Sequence, residues 1–65
     1  MNNTTPVIYT ISQLGSGMVR LFTKDARIAT GDKDITVTAK NLVNMMTITA
    51  KLLNDEGLAV LFEVD

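Results

Sequence analysis

The chain has no cysteine, no histidine and no tryptophan among its 65 residues. Without cysteine there is no disulfide framework and no thiolate metal site. Without histidine, the usual Ser-His and Cys-His nucleophile pairs and every imidazole-ligated metal are excluded. Net charge is scarce too. Six basic and seven acidic residues leave a formal charge of -1, so no global field draws the chain to nucleic acid or to a membrane. The longest purely apolar run, Leu58 to Phe62, falls far short of the about 20 residues of a membrane helix. The opening MNNTTP lacks a basic segment and an apolar core and is not expected to act as a signal peptide. The expected compartment is the cytoplasm. A chain this small, without these side chains, has little volume for a water-excluding pocket. Neither enzyme activity nor a cofactor is expected.

What the chain does have is apolar surface. Hydrophobic residues make up 46%, too much for a disordered chain. Residues 7–65 read as one small domain, near the lower limit for a self-supporting core, behind a disordered tail over residues 1–6. The apolar surface is concentrated in one predicted helix, Ala39 to Asp55, with Thr38 as N-cap and Gly57 at its left-handed end. At about 100° per residue, Leu42, Met46 and Leu53 share one line, with Val43 and Ala50 beside them. Met45, Ile48 and Leu52 form a second stripe. Together they span roughly 220°, against the roughly 100° that a helix needs to dock on one core. The second stripe therefore needs a cover, from a strongly curled sheet or from a second chain. Methionines such as Met45 suit an adaptable, partner-facing surface.

Strands are predicted at Val7–Ser12, Met18–Thr23, Ala26–Thr30, Asp34–Val37 and Leu58–Val64, from β-branched and aromatic content and alternation. Gln13–Gly17 reads as a hairpin loop. The last strand is apolar on both faces, as expected of an interior strand covered on both sides or of one covered by a partner on one side. The expected fold is α+β in two layers, one helix on a mainly antiparallel sheet of four to five strands, in the order β-β-β-β-α-β. One helix is about 10 Å across and four or five strands span roughly 20 Å, so part of the sheet is expected to need a partner.

The motifs are weak. Gly15-Ser16-Gly17 lacks the Lys-Ser/Thr pair and following helix of a phosphate loop, and a turn is expected. Asp32 and Asp34 have the spacing that opens a calcium loop, but the later ligands are missing. Glu63 and Asp65 read as a charged strand end that discourages edge pairing. Charge is unevenly placed. All six basic residues lie between Arg20 and Lys51, and from Asp55 onward only acids occur: Asp55, Glu56, Glu63 and Asp65.

The leading expectation is a non-catalytic protein–protein interaction module, a homodimer or an inhibitor or adaptor docked on a larger protein. Its apolar centre would be Met45, Ile48 and Leu52, with Leu61 or Phe22 from the sheet, inside a polar rim of Lys51 and Asn44. The alternative is a nucleic-acid-binding module using Arg20, Lys24, Arg27 and Lys33 on a hairpin of the second and third predicted strands, where Arg20 and Phe22 share a face. By type, and not by any motif, the chain is similar to the small accessory proteins of phages and mobile elements, many of which bind and modulate a host protein.

Overall fold

The computed structural model describes residues 5–65; of the expected tail, residues 1–4 lie outside the described residues. Four strands form one sheet: β1 (Val7–Gly15), β2 (Met18–Phe22), β3 (Asp34–Thr38) and β4 (Val60–Val64). The helix α1 (Leu42–Asp55) joins β3 to β4. The sheet order is β3-β2-β1-β4. β1 pairs antiparallel with β2, and β2 with β3, while β4 pairs parallel with β1. The α+β class, the two layers and the mainly antiparallel sheet are those expected, with the strand number at the low end of the range.

The hairpin works because three residues in succession adopt positive φ. Gly15 (φ 86°), Ser16 (φ 55°) and Gly17 (φ 74°) turn the chain between β1 and β2. A two-residue turn with both φ values positive matches the twist of the flanking strands. It is tighter than the expected Gln13–Gly17 loop, because β1 continues past Ser12 and takes up an irregularity between Gln13 and Gly15.

Alternation sorts the strands into two faces. Val7, Tyr9 and Ile11 of β1 and Val19 and Leu21 of β2 are buried under the helix. Val37 of β3 joins them, and Leu53 of α1 reaches the same core. The Tyr9 and Phe62 rings lie side by side in the parallel ladder, 6.0 Å apart and tilted by 34°.

Three expectations need correction. The predicted strand Ala26–Thr30 does not form. That stretch is a turn followed by a 3-10 segment at Thr30–Asp32. The Asp25 carboxylate accepts from the Arg27 backbone N–H at 2.9 Å, and the Asp25 N–H donates to the Thr23 hydroxyl at 3.2 Å. Such local bonds compete with a sheet ladder. Ile28 is the one large apolar residue of the stretch, and it is buried as an anchor in the core.

The helix begins later than expected. Ala39–Asn41 is a 3-10 turn, and the Thr38 side chain makes no capping bond. The Ala39 N–H donates instead to the Gly17 carbonyl at 2.8 Å, so the hairpin supplies the cap. The other end is as expected. Gly57 is left-handed, at φ 83°. The Leu58 N–H bonds to the Leu53 carbonyl and the Gly57 N–H to the Asn54 carbonyl, both at 2.9 Å. This double bond with a left-handed glycine is a Schellman closure.

The last strand is shorter than expected, because Leu58 is used in that closure. It lies at a sheet edge, not inside. β3 and β4 run in the same direction at opposite edges, and α1 crosses the sheet between them. Crossing so, α1 lies on one sheet face with Ile28 buried beside it, while Val64 at the edge of that face stays 79% exposed.

Candidate protein-docking site

The rotation of α1 decides which of its apolar residues reach water. Thr49 and Leu53 are the buried centre of the helix, with Leu42, Met45 and Met46 half-buried against the core. Val43, expected beside the core line, is 72% exposed. The turn is set from below: the core-facing arc must sit over Tyr9, Leu21 and Ile28, and this pulls Thr49 inward and pushes Val43 out.

The predicted stripe is divided by the same rotation. Met45 packs on the core. Ile48 is 43% exposed and Leu52 58%. They form the outer shoulder of α1 and one wall of a groove. Ile28 and Ala29 from the Asp25–Lys33 connection, and Ile35 of β3, form the facing wall. Tyr9, Thr49 and Leu53 also line the groove. The cavity is about 200 Å³, room for one or two side chains rather than for the few hundred Å³ of a drug-sized ligand. The Tyr9 hydroxyl donates to the Asp32 carbonyl at 2.8 Å, which holds the connection against the sheet. Burial pushes the Tyr9 phenol above its ordinary pKa, and the Asp32 and Asp25 carboxylates add to the shift.

Leu61 and Phe22 are not part of this surface. They lie on the opposite face of the sheet, which no helix covers. Leu61 is directly paired with Ile8, and both are exposed. Phe22 is half-buried beneath Arg20, whose guanidinium carbon lies 4.1 Å from the ring centroid. The apolar residues singled out in the sequence are thus split between two faces. Asn44 and Lys51 are exposed on the outer arc of α1.

The four cations of the nucleic-acid alternative are spread over a strand and a long connection, since their expected hairpin does not form. Arg20 makes a two-pronged contact with Asp34, at 2.9 and 2.7 Å. Arg27 does the same with Asp25, at 2.9 and 2.6 Å. The Arg27 side chain and backbone N–H together lower the Asp25 pKa to about 2. Asp34 is likewise lowered by its hydrogen bond from Arg20. Lys24 is exposed and Lys33 half-buried. Asp34 is therefore an ion-pair partner, and the Asp32 backbone carbonyl accepts from Tyr9 while its carboxylate stays outside these pairs.

No protein-family model, curated protein or solved structure matches the chain. The geometry alone carries the functional reading. Among the described residues no helix is long and apolar enough to cross a membrane.

Sequence reasoning missed the facing wall of the groove. Ile28 and Ile35 sit in stretches read as ordinary strands, and only the folded connection brings them opposite α1. Ile8 was missed too. Its place opposite Leu61 depends on the parallel β1–β4 register, which no local pattern encodes.

Proposed function

We propose that the chain is a small non-catalytic protein–protein interaction module that docks on a larger protein through the outer shoulder of α1. One observation carries this reading: Ile48 and Leu52 stand 43% and 58% exposed beside a formed apolar groove. Complete burial of such a side chain is worth about 1.5–3 kcal/mol. Much of that stays unused while the shoulder faces water, and a partner that covers it recovers the remainder. The role fits the accessory kind of protein that binds and modulates another. The nucleic-acid reading draws less support, because Arg20 and Arg27 are already bonded to carboxylates of the same chain.

A photo-crosslinking side chain placed at position 48 or 52, with position 43 as control, tests the proposal in the native cell. The expected result is one discrete adduct from 48 and 52 and none from 43. Excess unmodified chain should compete it away, and excess Ile48→Asp chain should not. An adduct of twice the chain's own mass identifies a homodimer instead. Equal labelling from all three positions ends the assignment of the shoulder.

A further inference from the structure

The groove beside α1 has one sign of charge at its mouth. Asp32 lines it from the 3-10 turn and Glu56 from the C-terminal end of α1, and both are exposed. None of the six basic residues lines it. Lys40 and Lys51 belong to the solvent-facing arc of the α1 region. Arg27 is bonded to Asp25, and the charge of Lys33 also acts on Asp25. Among the described residues neither Asp32 nor Glu56 takes part in an ion pair. The Tyr9 pKa is raised first by burial, and then by the nearby negative charge of Asp32 and Asp25.

We infer that the groove takes a segment of a partner protein in which a bulky apolar side chain lies next to a lysine or arginine. The inference rests on the docking reading above and names the occupant of that same site. The argument is one of complementarity. The floor and walls, Ile28, Ile35, Met45, Ile48 and Leu52, offer apolar contact and space for one large side chain. The two carboxylates at the mouth lack cations, and a neighbouring cation in the partner supplies the missing sign. An acidic segment would bring like charges together, and such juxtaposition is penalised. A second copy of the chain fits less well, because its own apolar shoulder stands near Asp55 and Glu56.

The test uses nine-residue synthetic peptides with a central leucine or phenylalanine, flanked by lysine, glutamine or glutamate. Binding to the full chain is read by fluorescence anisotropy at low and moderate salt. Lysine-flanked peptides are expected to bind about tenfold more tightly than glutamine-flanked ones at low salt, from two partly exposed charge pairs, and the gap should shrink as salt rises. Ile48→Asp or Leu52→Asp should abolish binding while circular dichroism remains unchanged. The double variant Asp32→Lys, Glu56→Lys should invert the preference toward glutamate. Binding of all peptides regardless of flanking charge overturns the inference and leaves the docking site standing. Binding of none, with self-association lost in Ile48→Asp, overturns it in favour of a second copy. Binding of none by a chain that is monomeric throughout overturns the inference, and the docking reading is then decided by the cross-linking at positions 48 and 52.

Discussion

The Tyr9 hydroxyl and the Asp32 carbonyl, 23 residues apart, meet at 2.8 Å. This bond ties the central strand β1 to the irregular connection that forms one wall of the groove. Removing it by Tyr9→Phe keeps the ring and its packing but leaves the carbonyl without this donor. The expected cost is about 0.5–1.5 kcal/mol, read as a lower urea midpoint at constant slope.

The same phenol predicts an alkaline limit. Its folded pKa is raised above the ordinary value of 10.0, first by burial and then by Asp32 and Asp25. The unfolded chain therefore gives up the proton more easily than the folded one. The contribution is complete below about pH 10 and is lost as pH rises through the folded value. Because this is the chain's single tyrosine, its phenolate absorbance reports the titration directly. Tyr9→Phe should flatten stability against pH in this range.

On the acid side, Asp25 behaves in the opposite sense. Arg27 holds its pKa at about 2, below the ordinary 3.8. Stability from this pair is fully present above about pH 4 and fades as pH falls toward 2. Carboxyl carbon shifts followed by NMR should show Asp25 titrating at about 2, and Arg27→Gln should raise it toward 3.8.

Leu52 and Leu53 are adjacent, yet one is 58% exposed and the other 7%. Leu53→Ala should cost about 2–5 kcal/mol, a large part of the stability of so small a protein. Leu52→Ala should cost less than about 1 kcal/mol. Equal costs in urea denaturation would contradict this rotation of α1.

Two turn positions make opposite forecasts. Gly57 has open space where a Cβ would go, but its φ is 83°. Gly57→Ala should therefore destabilise by about 1–2 kcal/mol through backbone strain alone. Ser16, at φ 55°, is a serine where asparagine is preferred. Ser16→Asn should raise the thermal midpoint, and a fall would dispute this turn geometry.

Local chemistry determined much of this protein. The 3.6-residue pattern from Leu42 to Leu53 and the glycine at 57 specified a helix and its end. The glycines at 15 and 17 specified a hairpin. The surplus of apolar surface on α1 was also legible, since it is a count of residues around a circle. What local pattern left open depends on long-range packing. Ala26–Thr30 has the composition of a strand, but Asp25 bonds locally and Ile28 is needed as a plug, so the stretch folds over the core. The last strand, apolar on both sides, became an edge because β1 already had β2 on its other flank. The rotation of α1, and with it the exposure of Val43 and Leu52, was decided only when the helix met Tyr9, Leu21 and Ile28. The groove exists for the same reason: its two walls are far apart in the chain, and only the folded connection places them face to face.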